Sequence, residues 1–434
     1  MNSQYDRYIE ALNSQDVNDR LKALKKLMSA VDRCDLPRPV TGQNVNNHIH
    51  TIYSFSPYSP TKALWMGYNA GLSTAGIMDH DSISGAREFI EAGRIIGMPT
   101  TIGVECRVDF STTELKGRRI NNPDQKDIAY IAIHGIPHTM IDKVKEFFTP
   151  FIKERNIRNR QMVDRLNATL KCKDIHLDYD RDVVPISKSS EGGTITERHI
   201  LFALAHRLIQ AYGKGPGLVD FLKNRLELDI SPKLEQLLLD ADNPFYAYDL
   251  LGVLKSDMVS SFYINADREC PDVRDVICLC RDIGAISAYA YLGDVGDSVT
   301  GDKKSQKFED DYLEQLFKVI KELGFNAVTY MPTRNTKQQL KRVKALCESH
   351  QLFQISGEDI NSPRQSFICK ALEDKYFHNL IDSTWALIGH EREATKDIQR
   401  GMFSPAVEKK YPNLNDRIRV YKNIGKTYEF GKAY

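Results

Sequence analysis

Cysteine is scarce in this chain, eight in 434 residues, and no two of them form a Cys-x-x-Cys pair. That excludes a disulfide framework and a thiolate zinc site. Cys278 and Cys280 stand one residue apart in a helix-like run, and the thiols read as reduced and mostly buried. No apolar run approaches the length of a membrane span, and no N-terminal signal peptide is visible. The expectation is a soluble, cytoplasmic protein with no membrane partner. An excess of charge is missing too. Lys plus Arg number 59 against 58 Asp plus Glu, so only a local basic patch could attract nucleic acid or an acidic surface. There is no Gly-x-x-x-x-Gly-Lys-Ser/Thr phosphate loop, no Gly-x-Ser-x-Gly elbow and no His-Glu-x-x-His. Neither an internal repeat nor a low-complexity tract appears. What is present is an ordinary globular composition, 41% hydrophobic and 27% charged, in a chain long enough for several domains or one large barrel with insertions.

The informative stretch is Val45-Asn46-Asn47-His48-Ile49-His50-Thr51. Alternate residues of a strand share a face, so His48 and His50 aim two imidazoles at one place, half of a transition-metal site. Three further apolar, strand-like runs end in ligand-type residues. Gly76-Ile77-Met78 leads into Asp79-His80-Asp81, Thr101-Ile102-Gly103-Val104 into Glu105, and residues 127–133 into His134. Chemistry in α/β barrels and open α/β sheets is assembled at the C-terminal strand ends. Four successive placements there predict a metal centre.

These residues resemble the polymerase and histidinol phosphatase (PHP) metal-dependent phosphoesterases. His48 and His50 match the family's His-x-His, and Met78-Asp79-His80-Asp81 with Gly85 is similar to its Thr-Asp-His-Asp and Gly. Gly103-Val104-Glu105 matches Gly-x-Glu, and His134 the following lone histidine. Ile195-Thr196-Glu197-Arg198-His199-Ile200 is similar to Arg-Pro-His-Ile-Ala, and Gly357-Glu358-Asp359-Ile360-Asn361 to Gly-Ser-Asp-x-His. Roughly residues 44–365 are covered, and the branch acting on nucleotides and short RNA looks closest. The resemblance implies a distorted (β/α)7-type PHP barrel in the α/β class. It implies metal ligands His48, His50, His80, Glu105, His134 and Asp359, with Asp359 and His199 in catalysis. Three departures stand out. Ser54-Phe55-Ser56 offers no carboxylate or imidazole after His-x-His, Tyr291 replaces the histidine of Ala-His-Pro-Gly, and Asn361 replaces the last histidine. Tyr291 and Asn361 are candidate replacement ligands, and the expectation is fewer than three tightly held metals.

The organisation expected is a helical extension over 1–43, a first barrel part over 44–138 and a helical insertion over 139–237. A second barrel part over 238–365 and a helical, polar C-terminal extension over 366–434, packed on the outside, complete it. Leu21, Leu24, Leu27 and Met28 stand at helical spacing within 18–33, and Pro37-Arg38-Pro39 reads as a linker. Residues 251–264, 285–292, 327–330 and 352–356 read as the later strands.

Phosphate-ester hydrolysis at neutral pH needs a nucleophile and neutralised phosphate charge. Metal-activated water and the cation supply them. A mixed imidazole and carboxylate set suits one to three ions of Mn, Fe or Zn. Asp79 or Asp81 is expected to orient His80 from behind, against helix N-capping as the plain alternative. Arg198, Arg334 and Arg364 flank motif loops and read either as phosphate grips or as solvated surface arginines. Tyr53, Phe55, Tyr58 and Trp65 are either base-stacking or packing residues. His138, His176, His206, His350, His378 and His390 lack motif context and read as structural. The expected substrate is a phosphorylated small molecule or nucleotide, with short single-stranded nucleic acid as a further partner. A catalytically degenerate PHP-fold binding or regulatory module is the alternative, favoured by Tyr291 and Asn361.

Overall fold

The computed structural model describes residues 3–170, 175–295 and 306–427. Seven strands, β1 (Val45–Ile49), β2 (Thr74–His80), β3 (Thr100–Asp109), β4 (Ile128–His134), β5 (Ile286–Ala290), β6 (Ala327–Tyr330) and β7 (Phe353–Ser356), form one sheet in chain order. Just past β7, Ile360 bridges Ile49 in parallel, with His50 N–H donating to Ile360 O at 2.9 Å and Ile360 N–H to His48 O at 3.1 Å. The sheet is thereby a nearly closed barrel in a mixed α/β fold. Helices Pro60–Asn69 and Ala86–Ile96 connect β1 to β2 and β2 to β3, and Leu313–Leu323 and Lys337–Ser349 connect β5 to β6 and β6 to β7. These are crossovers of the kind parallel neighbours need.

One strand departs from the expected pattern. β4 pairs antiparallel with both β3 and β5, so its C-terminal His134 points back toward the N-terminal ends of its neighbours. In register, His134 pairs with Ile286, the first residue of β5.

Part of the barrel interior is lined by small or apolar residues. Met78, Ala132, Ile286, Ala288, Ala327, Phe353 and Ile355 form a cluster with Ala386 and Leu387. The last two belong to the helix His378–Lys396, which corrects the expected outside location for the C-terminal extension. Asn47 Nδ2 donates to Thr384 Oγ1 at 2.8 Å, and Ile102 N–H to Glu391 Oε2 at 2.8 Å. This helix therefore crosses the N-terminal end of the parallel strands and leaves the other end open for a site. Its neighbour Leu414–Lys426 lies so close that a Cβ on Gly389 would overlap the Tyr421 carbonyl, a position only glycine fills.

The insertion has its own core, in which Leu201, Leu204 and Leu208 meet Leu250, Leu254 and Phe262. Residues 251–264 are not a strand. Tyr246–Phe262 is a helix packed with Ile141–Thr169, Glu197–Tyr212 and Pro232–Leu239. An apolar run of that length bears either period, and here burial at Leu250, Leu251, Leu254, Met258 and Phe262 follows the helical one.

A charged seam joins insertion to barrel. Arg107 of β3, with Arg155 and Arg158 of the Ile141–Thr169 helix, meets Asp81, Glu197 and Glu269. Glu269 contacts Arg107, Arg155 at 3.2 Å and Arg158 at 2.5 Å. Arg158 reaches Glu197 at 2.6 Å, and Arg155 reaches Asp81 at 2.5 Å. Three guanidinium groups thus balance three carboxylates, as burial of charge requires.

Among the described residues no helix is long and apolar enough to cross a membrane, and all seven described cysteines are free.

Candidate metal centre

The ligand-type residues of β1, β2, β3 and the segment after β7 converge. His48 is in β1 and His50 just beyond it, His80 closes β2, Glu105 lies opposite it in β3, and Asp359 follows β7. Glu105 is the hub, with Oε2 3.1 Å from His80 Nδ1, 3.6 Å from His48 Nε2 and 3.7 Å from His50 Nε2. Asp359 Oδ1 lies 3.2 Å from His50 Nε2. Two overlapping groups, His48–His50–Asp359 and His50–His80–Glu105, each bring three ligand atoms within 4.8 Å of one another.

The fit to a metal can be judged from the atoms left over. Nε2 of His48, of His50 and of His134 is buried without a hydrogen-bond partner, although the first two lie close to carboxylate oxygens. Buried nitrogens left in this way are costly in a protein that needs them only for packing. Around a shared divalent cation the same atoms are ligands, and imidazole with carboxylate is the donor set of Mn, Fe and Zn. The residues fit such an ion.

The electrostatics agree. Burial pushes the His80 imidazole down to about 3 against the pull of Glu105. Burial, then the charge of His48, takes His134 to about 3 as well. Both rings are therefore neutral, the form that ligates. Burial would raise the Glu105 carboxyl, but His80, His48 and His50 outweigh it and hold it at about 2. Burial likewise opposes ionisation of Asp359, yet contact with His50, then the charges of His48 and Arg198, hold it well below its ordinary value.

Other expected site residues are placed differently. His134 reaches the centre's electrostatic neighbourhood from the reversed strand and belongs to neither three-ligand group. Tyr291 is buried away from the ligands, its hydroxyl donating to Asp310 Oδ1 at 2.6 Å. It is no replacement ligand, because successive strand residues face opposite ways and Tyr291 packs with Tyr289 in the outer core. Asn361 supports Asp359 instead, its Nδ2 donating to Oδ1 at 2.5 Å. Asp79 does not orient His80. It accepts from Thr51 N–H at 2.7 Å, Thr51 Oγ1 at 2.6 Å and Ser54 Oγ at 2.6 Å. Asp81 neither caps a helix nor touches His80's ring. It sits at φ 49° paired with Arg155, and the helix that follows starts at Ala86 with Gly85 as its cap. His199 folds back so that Nδ1 accepts Thr196 N–H at 3.0 Å, and burial takes it to about 3.

Of the three arginines, Arg364 is taken up by Asp249, with Nε and Nη2 each 2.7 Å from a carboxylate oxygen. Arg198 and Arg334 both act electrically on Asp359. Lys255, on the insertion helix Tyr246–Phe262, joins them without having been anticipated. The charge of Arg198, more than loss of water, pushes it down to about 8, while Asp359 pulls it up. No motif flags a lone lysine on an apolar helix. Ser54 was also missed, since a hydroxyl has no metal-site signature. Tyr53, Phe55, Tyr58 and Trp65 are all buried packing residues. Phe202 and Tyr248 are partly open, with ring centroids 4.8 Å apart and Phe55 packed against both, and the partly open Tyr130 has its ring 6.0 Å from that of His80.

The chain matches no protein-family model and no curated protein. Among solved structures, it aligns with one described as a metal-dependent phosphoesterase from Bifidobacterium adolescentis, at 18% identity over 79% of this chain and 97% of that one, with a TM-score of 0.47. It also aligns with an amidohydrolase from Chromobacterium violaceum carrying sulfate and no metal, at 16% identity over 75% and 89% of the two chains, again with a TM-score of 0.47. At these scores neither likeness bears on activity or substrate.

Proposed function

We propose that the chain is a metal-dependent phosphoesterase of the PHP type, on a distorted (β/α)7 barrel, hydrolysing a phosphate ester of a small molecule, a nucleotide or a short single strand. The observation that carries this reading is the convergence of His48, His50, His80, Glu105 and Asp359, with buried imidazole nitrogens that lack hydrogen bonds. These five side chains would hold one or two ions of Mn, Fe or Zn. A cation of this kind supplies an activated water at neutral pH and neutralises phosphate charge.

The chain's own groups divide the remaining work. Asp359 is a weak base, its carboxyl being held far below the ordinary range, which favours a ligand's role over that of proton acceptor. His199 stays neutral above about 3. With Nδ1 accepting from Thr196, its remaining nitrogen carries the proton and can donate a hydrogen bond but not cycle a charge. Arg198, Lys255 and Arg334 gather positive charge around Asp359, the complement of an anionic ester. The partly open Tyr130 ring, 6.0 Å from that of His80, supports a substrate with a flat base.

The degenerate-module alternative keeps one observation in its favour. Neither departure restores a ligand, since Tyr291 is bound to Asp310 and Asn361 turns its amide nitrogen to Asp359. One experiment separates the two readings. The protein reconstituted with Mn, Fe or Zn should release phosphate from a panel of phosphomonoesters and nucleotides, and His50→Ala should abolish the release. Metal binding at wild-type stoichiometry without any ester hydrolysis would establish the binding module instead.

A further inference from the structure

The unassigned hydroxyl behind the first histidine pair carries an inference that rests on the metal reading. Asp79, Thr51, Ser54 and His50 are all buried, none more than 1% exposed. Asp79 Oδ1 accepts Thr51 N–H at 2.7 Å and Ser54 Oγ–H at 2.6 Å, and Oδ2 accepts Thr51 Oγ1–H at 2.6 Å. Ser54 Oγ also lies 3.2 Å from His50 Nδ1. A serine hydroxyl has one proton to give, and that short bond to a carboxylate takes it. Toward His50 the oxygen can then only accept, so Nδ1 must carry the ring's proton. In a neutral imidazole the other nitrogen is then an unprotonated lone pair. That nitrogen, Nε2, is the one facing Glu105 and Asp359.

We propose that Ser54 is a positioning residue that relays the charge of Asp79 to His50, fixing its ring in the Nδ1–H tautomer with Nε2 presented to the metal. Metal-bound histidines usually donate their second nitrogen to a carboxylate, a carbonyl or water. Here a hydroxyl stands between the imidazole and its carboxylate, and the β1–Pro60 loop is held by the same carboxylate through Thr51. The residue therefore acts through His50 and touches neither substrate nor metal.

The test reads the tautomer first. In metal-free protein with 15N-labelled histidine, two-bond correlations should show His50 protonated at Nδ1. A wild-type His50 with no proton on Nδ1 would overturn the proposal without any variant, whereas a second proton on Nε2, which faces Asp359 and Glu105 in the metal-free protein, leaves the Nδ1–H contact to Ser54 intact. Ser54→Ala should release the ring into a tautomer mixture and weaken zinc binding, titrated with Zn2+ alone, by roughly 10- to 100-fold, the usual effect of losing such a partner. Its far-UV circular dichroism should match wild type. Ser54→Thr, which keeps the hydroxyl, should return both readouts toward wild type. An unchanged tautomer or unchanged affinity in Ser54→Ala would refute the relay. Wild type that binds no zinc but shows the expected tautomer would refute the metal reading alone, because the relay is read in metal-free protein.

Discussion

Replacing Glu269 with Gln should loosen the insertion from the barrel. The carboxylate is buried and faces Arg107, Arg155 at 3.2 Å and Arg158 at 2.5 Å. One unit-charge contact near 3 Å amounts to about 5 kcal/mol at an effective dielectric of ~20. Three such contacts would exceed the whole stability of most domains, so most of that sum must already be spent on desolvating the four groups. Removing one partner of a buried ionic cluster costs about 3–5 kcal/mol in practice. That range is the expectation for Glu269→Gln in urea unfolding followed by far-UV circular dichroism. The variant leaves three guanidinium groups against only Asp81 and Glu197. Removing a positive charge at the same time, in Arg158→Met with Glu269→Gln, should therefore cost less than the sum of the single changes, by about 1–2 kcal/mol of coupling. A loss below about 1 kcal/mol for the single change, or strict additivity in the pair, would show that the seam is not a coupled network.

Arg198→Ala should raise KM for a phosphorylated substrate while metal content, read by elemental analysis, stays at wild type; loss of metal would make the residue part of the metal centre. Tyr291→Phe should leave metal content unchanged, because its hydroxyl serves Asp310, and a fall in bound metal would contradict that placement. Stability should also decline in acid for reasons outside the centre. Burial pushes His390 down to about 4, so below the unfolded value near 6.5 the unfolded chain binds the extra proton. This contribution is whole above pH 6.5 and falls by about 1.4 kcal/mol per pH unit between 6.5 and 4. Thermal unfolding across that range should show a shallower slope for His390→Gln.

The candidate ligand residues were legible because a metal centre would use rare residue types at strand ends, and alternation alone places His48 beside His50. What was hidden depends on tertiary pairing. The composition of β4 is the same whichever way it runs, so nothing in residues 128–134 announces that His134 enters from the reversed side. The run after Leu250 is apolar enough for a buried strand or a buried helix, and its partners in the insertion decide. The helix His378–Lys396 looks polar, yet Glu391 is buried bonding Ile102 N–H, a use no periodicity reveals. Tyr291 and Asn361 stand at motif positions, but local orientation gives one to Asp310 and the other to Asp359. Ser54 and Thr51 gain their roles only from Asp79, distant in sequence and adjacent in space.

The central claim, that four chain segments build one metal centre around Glu105, is tested most directly by zinc titration of wild type and Glu105→Gln under identical metal-free starting conditions. Glu105 Oε2 faces His80, His48 and His50 within 3.7 Å, so its loss should strip the shared ligand from all three. Wild type should bind at least one ion tightly and the variant at least ~100-fold more weakly, more than loss of a ligand's outer hydrogen-bond partner would give. Equal affinity in the two proteins, or no binding by either, would contradict the claim.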